Sequence, residues 1–325
     1  MAERRITNTR RLSRKDTGNC RPYSKASRCQ IISLMAHHKD FSASLFGPNF
    51  KWGVATSAFQ TEGGWNADGK GVSIWDDFTS RKGAIMNSEH AKTACDHYNR
   101  FKEDIQIVKN LGIPCYRFSI SWTRILPSGT GCINPAGITF YNKIIDYCLE
   151  LGIEPWATLY HWDLPHKLEQ HGGWGNRRII NWFENYTQIC IHHFGDRVKN
   201  WMVVNEPLAF IGAGYFLGVH APGKRGLRNF LPAVHHANLA IAQSAKAIKA
   251  LNSGLRVGTT FSCALIEPAS SSEWDIRAAD RVDALVNRLF VEPLTGIGYP
   301  FSSLGFLTKI QKYMLPGDAD LLSFN

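Results

Sequence analysis

From residue 50 onward, short apolar runs alternate with longer amphipathic stretches. The runs cover 50–57, 115–121, 154–161, 201–205, 256–263 and 320–324, and each is short enough to be a strand. Between them, 98–111 places Phe101, Ile105, Val108 and Leu111 at helical spacing, and 138–151 does the same with Tyr141, Ile144, Ile145 and Cys148. The stretches 179–194 and 233–251 read alike. Leu111-Gly112, Leu151-Gly152 and Phe194-Gly195 put a glycine between a helical pattern and the strand that follows, a common helix end.

Strands alternating with helices predict a parallel sheet, and Trp201-Met-Val-Val reads as a strand buried on both faces. Polar and charged residues fall at the C-terminal ends of the runs: Gln60, His161, Asn205 and Glu206. In a (β/α)8 barrel that end is the active-site face. A doubly wound sheet would want a glycine-rich phosphate loop after an early strand, and neither GxGxxG nor a Walker A sequence occurs. Six runs fall short of the eight strands of a closed barrel. The expectation is therefore an incomplete (β/α)8 TIM barrel with about six of its eight βα units, whose open edges need further chain or a partner.

Composition narrows the class. Across 325 residues, 44% are apolar, 20% charged and 12% aromatic, which suits a globular protein with a large core. The net charge of +10 is concentrated at one end, since residues 1–40 hold ten Lys/Arg against three Asp/Glu. A basic domain gripping nucleic acid is not expected, nor is a membrane partner. Residues 1–45 read as a basic, disordered extension, and 46–325 as the barrel. An Arg-rich, acid-poor tail also resembles a transit peptide, and Met35 is an alternative start. No apolar leader run is seen, so a cytoplasmic location is expected. The eight cysteines form no CxxC pair and read as small buried hydrophobes, with no disulfide frame or metal site expected.

Four motifs carry chemistry. Trp201–Pro207 drives an apolar strand into Asn205, Glu206 and a proline that ends the ladder. A carboxyl among aromatic residues loses solvation of its charged form, which favours the protonated state a general acid needs. A surface ion pair is the plainer use of Glu206. His161-Trp162-Asp163-Leu164-Pro165 ends its strand the same way, with an imidazole for hydroxyls and an indole for the C–H face of a sugar; a satisfied core histidine is the alternative. Arg117, between Tyr116 and Phe118, needs a partner when buried, and a carboxylate inside the barrel is the natural one. Gln60 offers a donor and an acceptor, useful for vicinal hydroxyls, while Glu62 beside Gly63-Gly64 competes weakly as a second carboxylate.

These motifs, with Lys51–Ser57, Tyr116–Pro127 and Asn287–Phe290 through Gly298–Pro300, resemble glycoside hydrolase family 1, the β-glucosidase family, from about Phe46 to Asn325. The resemblance implies a retaining barrel enzyme that uses no cofactor, with a β-glucoside or small oligosaccharide as substrate. By the same resemblance Glu206 is the acid/base, Gln60, His161, Trp162 and Asn205 line the sugar site, and Arg117 orients the nucleophile. The family's nucleophile lies in a Glu-Asn-Gly motif that does not occur here; Glu184-Asn185 runs into Tyr186 within a helical pattern. Ser262 stands where the family usually has Asn. The implication is an enzyme by family whose chain, taken alone, has little or no activity. The alternative is a non-catalytic relative that binds sugar at most.

Overall fold

A computed structural model describes residues 43–323. Of the extension expected over residues 1–45, residues 1–42 lie outside the described residues, and Ala43–Phe46 forms a 3-10 turn. Among the described residues, 51–323 form one compact unit, and residues 43–50 belong to a separate one.

Five strands form one parallel sheet: β1 (Gly53–Ala55), β2 (Cys115–Ser119), β3 (Glu154–Tyr160), β4 (Asn200–Asn205) and β5 (Arg256–Thr260). Their spatial order is their chain order. A doubly wound sheet reverses direction at a switch point, whereas an unreversed parallel order is the wall of a (β/α)8 barrel. Except for β4, which gains Asn200, the strands are shorter than the apolar runs, because ladder pairing, not hydrophobicity, defines their ends.

Four long helices return the chain: α1 (His97–Asn110), α2 (Pro135–Glu150), α3 (Ile179–Phe194) and α4 (Leu227–Leu251). Asn134 caps α2 through its side chain, which accepts from the Ala136 N–H at 3.2 Å, and Pro135 occupies the first turn. α4 begins six residues before the periodic stretch and keeps Pro232 in its second turn, with neighbours buried throughout. Its alanines at 233, 237, 240 and 245 let it approach α3 closely enough for the Thr187 and Ser244 hydroxyls to meet at 3.2 Å.

Alternate strand residues divide the sheet. Tyr116 and Phe118 are buried against the helices, with Phe118 stacked on Tyr141 of α2. Each such ring contributes about 1.5–3 kcal/mol by leaving water. The other face holds Arg117, Thr158 and Asn205 near the C-terminal ends. At the N-terminal ends Glu154 gathers Lys51, Asn200 (2.8 Å) and Arg256 (3.1 Å), so a carboxylate on β3 ties the segments carrying β1, β4 and β5 across the inner face.

The sixth run is not a strand. Asp318–Leu322 is a helical turn entered through Gly317 at φ 88°, and Phe324 and Asn325 lie outside the described residues. A short apolar run has no period of its own strong enough to choose between helix and strand. Local bonds decide here: the Asp318 carboxylate accepts from the Leu315 N–H at 2.7 Å and is gripped by Arg177 and by His235 of α4. Among the described residues the sheet therefore has five strands, with β1 and β5 at its edges. The cysteine expectation holds for Cys115, Cys148 and Cys190; Cys95, Cys132 and Cys263 are exposed. None of the helices among the described residues is long and apolar enough to cross a membrane.

Candidate active site

The motif residues converge on the C-terminal rim of β2, β3 and β4. Arg117 donates from Nε to Thr158 Oγ1 at 2.8 Å and from Nη2 to the Asn205 side-chain oxygen. Among the described residues it makes no ion pair, and its two side-chain bonds go to neutral acceptors. Burial lowers the Arg117 pKa, and the Glu206 charge partly offsets that.

Two residues of this rim sit in the left-handed region, where a side chain is strained: Trp162 at φ 81° and Glu206 at φ 47°. Glu206 also precedes proline, which restricts it further. Bonds on both sides hold the pair. The Trp162 indole N–H donates to the Asn205 carbonyl at 2.8 Å, and the Glu206 N–H donates to the Thr260 carbonyl of β5 at 2.9 Å. The Glu206 side chain is half-buried and borders a cleft of about 240 Å³ shared with Phe261, Ser262 and Asn287. Asn287 braces the far wall by two bonds to the Ala264 backbone, at 2.8 and 3.0 Å.

His161 packs beside Trp162, its ring 5.3 Å away, and its Nδ1 is buried without a partner. Burial first, and the Arg117 cation second, push its pKa down to about 4, so the imidazole is neutral near pH 7. A neutral imidazole with a free nitrogen suits a hydroxyl. Asp163 behind it is buried, and burial pushes its carboxyl up to about 7, partly offset by the Ser121 hydroxyl.

Gln60 stands apart. It is exposed at the mouth of β1, its amide oxygen accepting from Ser57 Oγ at 2.6 Å, with no direct bond to the other rim residues. Glu62 is removed from contention: it pairs with the buried Arg124 at 2.6 Å and accepts from the Tyr141 hydroxyl at 2.6 Å. Glu184 lies on α3, bonded by Gln243 and, at 3.3 Å, by Gln188, far in role from the rim. A depression of about 780 Å³ follows the outer edge of β5 beside α4; its walls hold no carboxylate or imidazole, so it reads as a sheet edge rather than a reaction site.

Sequence reading did not single out Thr158, although a hydroxyl inside an otherwise apolar strand was a signal for it, and Asn287 was noted only as part of the Asn287–Phe290 motif.

A model described as Glycosyl hydrolase family 1 matches residues 42–323. Beta-glucosidase A of Thermotoga maritima is 47% identical over 80% of this chain and 59% of its own length. Beta-glucosidase 42 of Arabidopsis thaliana is 42% identical over 87% and 61%. A solved structure of the Thermotoga maritima β-glucosidase in complex with glucoimidazole superposes with a TM-score of 0.81 at 44% identity, covering 85% of this chain and 62% of that one. The chain therefore spans about three-fifths of the length of the relatives it matches.

Proposed function

The chain belongs to glycosyl hydrolase family 1, and on that footing we propose that its rim is the acid/base half of a retaining β-glycosidase site acting on terminal β-D-glucosyl residues. In this reading Glu206 protonates the departing glycosidic oxygen and later takes a proton from water. Asn205 bonds the hydroxyl next to the reacting carbon. His161 and Gln60 bond further hydroxyls, and Trp162 packs against the sugar's C–H face. Arg117 orients a nucleophilic carboxylate.

The observation that supports this best is the bond from Arg117 to the side chain of Asn205, the residue before Glu206. A retaining site needs a second carboxyl roughly 5 Å from the first. Among the described residues Glu62 and Glu184 are engaged elsewhere, and Arg117 keeps Nη1 without a partner, the place a carboxylate would take. The chain alone therefore binds a β-glucoside but does not cleave it.

The test is twofold. Calorimetry with methyl β-D-glucopyranoside on the purified chain is expected to show binding that weakens in Asn205→Ala. Incubation with nitrophenyl β-D-glucoside is expected to release no nitrophenol above that from the Glu206→Gln variant. Turnover that is lost in Glu206→Gln would overturn the inactive reading, and absence of sugar binding would overturn the site itself.

A further inference from the structure

Five rings form a row along the rim: Phe59 to Trp75 at 5.8 Å, Trp75 to His220 at 5.4 Å, His220 to Trp162 at 5.9 Å and Trp162 to His161 at 5.3 Å. The row joins the mouth of β1, where Gln60 sits, to the mouth of β3. His220 is its centre, and it arrives from the β4 loop that begins at Glu206. That loop runs through the helical turn Pro207–Ile211 and the wider turn Gly212–Leu217, then folds back, with the Val219 and His220 N–H groups donating to the Ala213 carbonyl at 2.9 and 3.2 Å.

Both neighbours of His220 stand on one platform. Trp75 opens the helix Ile74–Ser80, capped by Ser73 and Asp76. The Ile74 N–H donates to the Leu164 carbonyl at 2.8 Å, and the His166 N–H donates to the Val72 carbonyl at 2.9 Å, so this helix is stitched to the segment that follows Trp162. Arg81 at the far end donates to the Pro222 carbonyl at 2.9 Å, which ties the His220 loop to the same helix. His220 therefore fills a gap between two indoles whose backbones are already fixed.

Trp162 needs such a support. Its φ of 81° is costly for a bulky residue and persists only where surroundings over-determine it. One support is the bond from its indole N–H to Asn205. We propose that His220 is the other: a positioning residue that wedges the Trp162 indole against Asn205, so that the β4 loop carrying Glu206 also sets the face on which the sugar packs. Burial lowers the His220 pKa, which keeps the imidazole neutral and suited to packing between rings. Its Nδ1 is buried without a partner, so shape, not hydrogen bonding, carries the role.

This rests on the reading of the rim as a sugar site, and two measurements separate the claims. In chain labelled with 5-fluorotryptophan, the Trp162 resonance is assigned by Trp162→Phe. His220→Ala is expected to shift and broaden that line while circular dichroism stays native, and His220→Phe, which keeps a ring and removes the nitrogens, is expected to restore a single sharp line. The dissociation constant for methyl β-D-glucopyranoside is expected to rise about fivefold to tenfold in His220→Ala, the scale of one lost ring contact, and to recover in His220→Phe. An unmoved Trp162 line in a folded His220→Ala chain overturns the proposal. So does a His220→Phe variant that behaves as His220→Ala does. If sugar binding is absent in every form while the fluorine line moves as expected, the wedge stands and the sugar site falls.

Discussion

The indole nitrogen of Trp162 and the main-chain oxygen of Asn205 lie 2.8 Å apart, and that bond joins two strand ends whose backbones are both strained. Trp162 itself is left-handed, and Glu206, the residue after Asn205, is left-handed too. Neither conformation is what an isolated strand end would choose. Bonded together, each limits the relaxation of the other, so the proposed acid/base carboxyl and the proposed sugar-stacking indole are positioned as one unit.

Replacing Trp162 by Phe keeps a ring and removes the donor. The Asn205 carbonyl then loses its partner, and chemical denaturation is expected to show a loss of about 1–3 kcal/mol. A midpoint equal to that of the parent chain would mean that the indole bond does not brace the rim.

Arg117 reaches Asn205 and Thr158 at once. Arg117→Met removes both bonds and the cation beside Glu206, and is expected to weaken binding of methyl β-D-glucopyranoside roughly tenfold, the scale of one charge-assisted hydrogen bond. Thr158→Val removes one bond only, so its affinity should fall between those of the Arg117→Met variant and the parent. Calorimetry on the three chains decides the order.

Glu62 and Arg124 form a buried pair, with side chains 5% and 2% exposed, and the guanidinium lies over the Tyr98 ring at 4.2 Å. Glu62→Ala leaves a buried cation unpaired and is expected to cost about 3–5 kcal/mol by urea titration. Removing both charges, as Glu62→Leu with Arg124→Met, should recover most of that loss. A double variant no better than the single would assign the cost to lost packing instead.

Asp163 and Asp318 link stability to pH with opposite signs. Burial raises Asp163 from 3.8 to about 7, so the fold favours its protonated form. Its contribution is present below the unfolded value and is lost as pH rises from about 4 through 7. Asp163→Asn should flatten this part of the profile, seen as a smaller drop in urea midpoint between about pH 4.5 and about pH 7.5. An unchanged slope would place the titration elsewhere.

At Asp318, burial works to raise the pKa, but the bonds from Arg177, the Leu315 N–H and His235 outweigh it and hold the carboxyl well below the usual range. That contribution is present above the unfolded value of 3.8 and lost as pH falls beneath it. Asp318→Asn should therefore lower stability at neutral pH and narrow the gap to the parent chain in acid. Because Asp318 anchors the turn Asp318–Leu322 to α4, proteolysis in that turn should also quicken in the variant.

The first five strands, their parallel sheet and the long helices between them were legible in the sequence, because buried parallel strands and amphipathic helices leave distinct periods. The limits of α3 at 179–194 follow from that pattern alone. Glu206, Asn205, His161, Trp162 and Arg117 were legible as candidates too, most of them sitting where an apolar run meets a polar residue. The turn at Asp318–Leu322 was not, since five residues cannot outvote the bonds that Arg177 and His235 bring from elsewhere. Nor were the neutral partners of Arg117, the burial of Glu62 against Arg124, or the place of His220 between Trp75 and Trp162. Those depend on which distant segments meet, and only packing in three dimensions sets the distances over which charge, hydrogen bonds and ring contacts act.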